Sequence, residues 1–242
     1  AAYQEVVHYT PLSVRGLFTP YFLANHFREN KSEASSQEGS LSPEQMMTQY
    51  YNEALDQYEK LLNKLGPISQ AATVQNYKAL TVASRGDWQG AVDLWTAIPH
   101  LFPKSPLGPI SLLTAGEMSL HKLKDPDGAE KIFQAFIERY PEHYLTNNVY
   151  FRLGMVYFLE GKYPKARETF TTLLERLPED VRDVASIRIL IGRCYDQEKK
   201  WKLAQQEYEA VKRDFPETEA SLKIPIMIGQ HYLETGELAA AE

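Results

Sequence analysis

Leu153-Gly154-Met155-Val156-Tyr157-Phe158-Leu159-Glu160-Gly161-Lys162-Tyr163-Pro164-Lys165-Ala166-Arg167-Glu168-Thr169-Phe170 is the stretch that decides the fold. Tyr150, Leu153, Gly154 and Tyr157 fall on one face at helical spacing. Glu160-Gly161-Lys162 then breaks the helix, with Gly161 suited to a left-handed cap. Pro164 fits the first turn of a second helix, where a missing N–H is harmless. Ala166, Phe170, Leu173, Leu174 and Leu177 form that helix's apolar stripe, and Pro178 is expected to end it.

The same frame recurs along the chain. Ala54, Ala91, Ala129, Ala166, Ala204 and Ala241 follow one another at intervals of 37, 38, 37, 38 and 37 residues. An aromatic lies four residues after five of them: Tyr58, Trp95, Phe133, Phe170 and Tyr208. Pro103, Pro141, Pro178 and Pro216 lie twelve residues after four of them. Gly154, Gly192, Gly229, Ala166 and Ala204 are expected where two helices cross closely, and the aromatics between one helix pair and the next. A single pair cannot bury its own stripe, so the pairs must stack.

The pattern Leu153-Gly154-x-x-Tyr157, Gly161-x-Tyr163-x-x-Ala166-x-x-x-Phe170, Pro178 returns as Ile191-Gly192, Tyr195, Trp201, Ala204, Tyr208 and Pro216. It resembles the tetratricopeptide repeat (TPR) family over about Thr73 to Glu242. The resemblance implies an all-α fold, a right-handed α-solenoid of stacked antiparallel helix pairs, whose first helices line a concave, partner-binding face. The family's period is about 34 residues. The longer units here, with Pro178-Glu179-Asp180-Val181-Arg182-Asp183 between pairs, look like those of bacterial envelope TPR proteins: outer-membrane assembly lipoproteins and the periplasmic partner of the Tol–Pal system. The stretch Phe133 to Pro141 reads like the same group.

Three segments follow from composition. Residues 1–28 are rich in aromatics (Tyr3, Tyr9, Phe18, Tyr21, Phe22, Phe27); a short helix is expected after Pro20, and the segment is expected to cap the first repeat, with a docking segment for a partner or membrane as the other reading. Residues 29–41 are a polar linker. Residues 42–242 are the array: about five units plus a degenerate leader at Ala54, the last unit truncated. Ser42-Pro43-Glu44-Gln45 reads as a capped helix start, running to Leu65 and stopping at Gly66-Pro67. Asp127 and Glu130 read as a second capping box, with one extra residue in the turn Lys124-Asp125-Pro126-Asp127. The start at Ala1, without Met or signal peptide, implies a cleaved mature form or a fragment, and Glu242 falls just inside an expected helix.

Chemistry is not expected. The six histidines include no i,i+4 pair, and the single Cys194 sits in an apolar helical pattern as a small hydrophobe, so no metal site and no cofactor are expected. Asp125-Pro126-Asp127-Gly128 lacks the later ligands of a calcium loop. There is no phosphate loop and no nucleophile elbow, so no catalytic residues are expected. A net charge of -6 and a pI of about 5.6 argue against a nucleic-acid binder. No apolar run approaches the ~18 residues of a membrane span, which leaves membrane association to a partner or an unseen lipid anchor.

By the resemblance, the groove-facing candidates are Asn76, Leu80, Ala83, Leu113, Glu117 and Leu120, then Phe151, Met155 and Phe158, then Ile189, Arg193 and Asp196, then Ile226, Gln230 and Leu233. Arg193, Asp196 and Gln230 are expected to form a polar wall. The clamp with which one TPR subclass grips a C-terminal carboxylate is missing. The expected function is a non-enzymatic scaffold in a multiprotein envelope assembly, in the periplasm or at the periplasmic face of the outer membrane. The alternatives are a cytosolic TPR adaptor and the interaction domain of an enzyme extending beyond Glu242.

Overall fold

A computed structural model describes residues 2–29, 42–66, 69–177 and 182–236. Every helix described is α-helical apart from one π-helical turn, and no strand occurs among the described residues. The fold is an all-α solenoid of antiparallel helix pairs. It divides into two compact units, Ala1–Phe136 and Ile137–Glu242.

The first unit contains α1 (Ala2–Tyr9), α2 (Val14–Glu29), α3 (Pro43–Leu65), α4 (Ser69–Ser84), α5 (Trp88–Leu101), α6 (Leu107–Met118) and most of α7 (Pro126–Arg139). The capping box at Ser42 is present: its Oγ accepts from Gln45 N, and Gln45 Oε1 accepts from Ser42 N. Gly66 ends α3 at φ 66°. Helix α2 lies along α3, with the buried Tyr58 hydroxyl donating to Leu17 O at 2.5 Å and Phe27 stacked on Tyr50. Leu17, Ala54, Tyr58 and Val74 form one core cluster; Ala79, Ala91, Trp95 and Ile98 belong to another.

Two helix starts differ from expectation. Helix α2 begins at Val14, capped by the Ser13 hydroxyl accepting from Gly16 N at 2.9 Å, and Pro20 lies inside it rather than opening it. Helix α7 is capped by Asp125, whose Oδ1 accepts from Gly128 N at 2.9 Å, and not by Asp127. Pro126 takes the first helical position, so the cap must be the residue before it. The extra residue of this pair also lies one turn earlier than expected. It is absorbed by the π-helical turn Ser119–Leu123, which takes up a residue without breaking the helix.

The second unit contains α8 (Thr146–Leu159), α9 (Tyr163–Arg176), α10 (Arg182–Gln197), α11 (Trp201–Asp214) and α12 (Glu219–Thr235). Pairs α8–α9 and α10–α11 pack antiparallel, and α9 packs on α10.

The frame is explicit in each pair. Ala54, Ala91, Ala129, Ala166 and Ala204 are fully buried, as are the aromatics four residues on. A Cβ added to Gly154 would lie 2.4 Å from the Phe170 ring; at Gly192 it would lie 2.5 Å from Tyr208, and at Gly116 2.3 Å from Phe133. The glycine therefore seats the ring of its own partner helix. Helices α5, α7, α9 and α11 each stop two residues before their proline, because the pre-proline residue is excluded from helical geometry. The expectations placed on Pro67, on 178–181, on the 30–41 part of the linker and on Leu238, Ala241 and Glu242 lie outside the described residues.

A second ladder runs beside the alanines. Gly86, Lys124, Gly161, Lys199 and Gly236 all have positive φ (90°, 57°, 73°, 61° and 78°). Each lies five residues before its ladder alanine. At these five positions the chain passes through a left-handed residue, which glycine adopts freely and lysine does not.

Candidate functional site

In the first unit, Asn76 is half-buried on α4, and its Oδ1 accepts from Trp95 Nε1 on α5 at 3.0 Å. Its side chain ties the pair together. Ala83 is buried in the core, and Leu80 packs against the same cluster. Leu113 and Glu117 are half-buried on α6, and Leu120 is half-buried in the π turn.

In the second unit the candidates lie on α8, α10 and α12. Phe151 is 38% exposed and touches the rim of the buried Phe170 ring. Met155 and Phe158 are half-buried at the i+4 and i+7 positions of the same helix. The Phe158 ring meets Tyr163 edge-on. Its face is covered by the Arg193 guanidinium from α10, 5.0 Å from the centroid. This cation–π contact holds the guanidinium over the ring. Among the described residues, no acceptor takes a hydrogen bond from it. Arg193 thus presents several oriented donors.

Beside it lies a cavity of about 410 Å³ between α10 and α12, lined by Ile189, Arg193, Asp196, Lys223, Met227, Gln230 and His231 among others. Gln230 is exposed, and Asp196 is not free. Asp196 Oδ1 sits 2.7 Å from Nδ1 of His231, whose ring stacks on Trp201 at 3.5 Å with planes 4° apart. The Tyr232 hydroxyl accepts from Trp201 Nε1 at 3.4 Å and from Gln205 at 3.2 Å. The polar wall expected from Arg193, Asp196 and Gln230 is therefore divided: Arg193 and Gln230 face the opening, while Asp196 anchors His231. Ile226 and Leu233 are largely exposed on α12.

His231 and Trp201 were not legible as a pair. His231 has no metal-ligand spacing to another histidine, whereas Asp196 and His231 are 35 residues apart, nearly one repeat. Residues about one period apart lie on successive first helices, and that signal could have found them.

A second network was also missed. Arg167 on α9 donates to Glu198 at 3.1 Å and to the Tyr195 hydroxyl at 3.3 Å, and stacks on the Tyr195 ring at 4.4 Å. Lys200 closes on the same carboxylate. Burial raises the Glu198 pKa, but the bonds from Lys200 and Arg167 outweigh it and hold the carboxyl below the ordinary glutamate value. Cys194 is fully buried; burial, and then the Glu198 charge, push its thiol up to about 11. A thiol in that state is not a nucleophile.

Models of the tetratricopeptide repeat match residues 111–143, 148–180 and 189–218, the spans of three successive helix pairs. Those residues match tetratricopeptide repeats. Among solved structures, the chain is similar to YrrB, a TPR protein with an unusual peptide-binding site, at 16% identity and TM-score 0.51, covering 92% of this chain and 96% of that chain. It is similar to BtubC (BKLC) from P. vanneervenii at 16% identity and TM-score 0.54, covering 88% and 85%. It is also similar to a MamA protein at 14% identity and TM-score 0.50, covering 82% and 91%. Identities this low speak to the fold. No curated protein matches the sequence. No helix among the described residues is long and apolar enough to cross a membrane.

Proposed function

We propose that this TPR chain is a non-enzymatic scaffold that holds a segment of a partner protein against the first-helix face of its second unit. The observation that carries the reading is the stripe Phe151, Met155 and Phe158, with the Arg193 guanidinium laid on Phe158 and its donors unclaimed among the described residues. An extended or helical segment would set an apolar side chain on the stripe and offer Arg193 and Gln230 a carboxylate or main-chain carbonyl. YrrB, whose peptide-binding site is called unusual, is a precedent on the same fold at TM-score 0.51.

A photo-crosslinking residue at Met155 should capture a partner that one at the exposed Glu209 on α11 does not. Arg193→Ala and Phe158→Ala should abolish that capture with the melting temperature nearly unchanged. If either substitution unfolds the chain as a core mutation does, or if Glu209 captures the same partner equally, the face is not the site.

The repeat length of 37–38 residues supports a place in a multiprotein assembly of the bacterial envelope, in the periplasm or at the periplasmic face of the outer membrane. Cell fractionation checks this. Recovery of the native protein in the cytosol would favour the adaptor reading.

A further inference from the structure

Two turns of the second unit keep lysines where the backbone does not favour them. Lys162 and Lys200 occupy the N-caps of α9 and α11, and neither makes a side-chain capping bond. The equivalent position is Asp87 in α5 and Asp125 in α7, and both cap the helix. A cation at a helix N-terminus also opposes the helix dipole. Lys199 holds a left-handed φ of 61° at a position that is glycine in Gly161 and Gly236. Lys162 and Lys200 pair with the neighbouring Glu160 and Glu198 instead, and a position that breaks a local rule is a candidate for function.

These lysines share one edge. Tyr163 on α9 donates to Gln197 at 3.3 Å, and Arg167 on α9 bonds Glu198 at 3.1 Å, so the α8–α9 turn lies against the α10–α11 turn. Lys165 and Lys202 are exposed on the first turns of α9 and α11. Two leucines stand among them: Leu159, which ends α8, is 70% exposed, and Leu203 on α11 is 40% exposed. The acids on this edge, Glu160 and Glu198, are paired with Lys162 and Lys200.

We propose that this edge docks on an anionic lipid surface, the lysines lying in the headgroups and Leu159 and Leu203 entering the boundary with the acyl chains. The chain is negative overall, at -6, so the cationic edge also orients the molecule. Exposed leucine between lysines favours a bilayer over an acidic polypeptide, which would match the charge and leave the leucines unused.

The test is flotation of the full chain with phosphatidylcholine vesicles, with and without phosphatidylglycerol, at low and high salt. Binding is expected only with phosphatidylglycerol, and high salt should release most of it. Lys199→Gly with Lys202→Gln removes two charges while relieving the backbone at 199, so the variant should melt no lower than the parent and lose most of its vesicle binding. Leu159→Ser should weaken binding without changing the salt dependence. Absence of binding to anionic vesicles, or unchanged binding by the folded double variant, would overturn the proposal. So would binding to soluble polyglutamate without binding to vesicles, which assigns the edge to an acidic protein.

Discussion

Gly154→Ala puts the glycine-ring seat under direct strain. The new methyl would lie 2.4 Å from Phe170 Cε1 and 2.8 Å from its Cδ1 and Cζ. Carbon atoms settle about 3.5–4.0 Å apart, so the ring would have to retreat by about 1 Å. Phe170 is fully buried and has Phe151 beside it, so its retreat is blocked. Overpacking of this kind costs about 1–3 kcal/mol. Against it stands the gain of about 1 kcal/mol from replacing glycine by alanine inside a helix. The net loss is about 1 kcal/mol, and the separation of the two effects is the stronger prediction. In a Phe170→Leu background the clash disappears and the helical gain remains, so the same substitution should stabilise. The coupling between the sites should be about 1–3 kcal/mol, above the roughly 0.3–0.5 kcal/mol expected of independent positions. Urea unfolding of the four proteins, followed by far-ultraviolet circular dichroism, measures it. A coupling near zero, or stabilisation by Gly154→Ala in both backgrounds, would refute the seat.

Lys124→Gly should stabilise the first unit by about 0.5–1 kcal/mol, because a left-handed lysine costs about 1–2 kcal/mol and glycine's extra entropy returns part of it; an unchanged urea midpoint would count against the assigned backbone. Glu198 binds its proton less readily folded than unfolded, so its contribution is complete above the ordinary value of 4.5 and is lost as the pH falls below it. Arg167→Ala should therefore flatten the acid limb of a stability–pH profile below pH 4.5, and a limb of unchanged steepness there would sink the assignment. Cys194 should resist thiol reagents at mildly alkaline pH until the protein unfolds, since burial holds its pKa near 11; prompt labelling of the native chain would contradict its place in the core.

The alanine ladder was readable because packing leaves no choice there. A buried crossing admits only small residues, and the ring it receives must be large, so Gly154–Phe170 and Gly192–Tyr208 repeat in letters as well as in space. The left-handed ladder was readable only where it is glycine. Lys124 and Lys199 look like ordinary helix residues, and their backbone is dictated by the closure of the pair around them. The cap of α7 was misplaced although Asp125-Pro126 repeats the logic of Ser42-Pro43; the attractive spacing of Asp127 and Glu130 hid it. Helix α2 was started late because Pro20 resembles an opening residue, while Ser13 carries the actual cap. Among the site candidates, position in the repeat indicated which helix each residue occupies. It did not reveal what each touches: Asn76 meets Trp95 and Asp196 meets His231, and such partners lie a repeat or half a repeat away.

The stacking of His231 on Trp201 has an optical consequence. The chain has three tryptophans, and Trp201 is the one whose indole lies face to face with an imidazole, at 3.5 Å. Contact at that distance opens a non-radiative route for the excited indole, so Trp201 should be dim while α12 is seated and brighten when it lifts. With Trp88 and Trp95 replaced by phenylalanine, emission from the remaining indole would report the fraying of α12 by itself, with no label added.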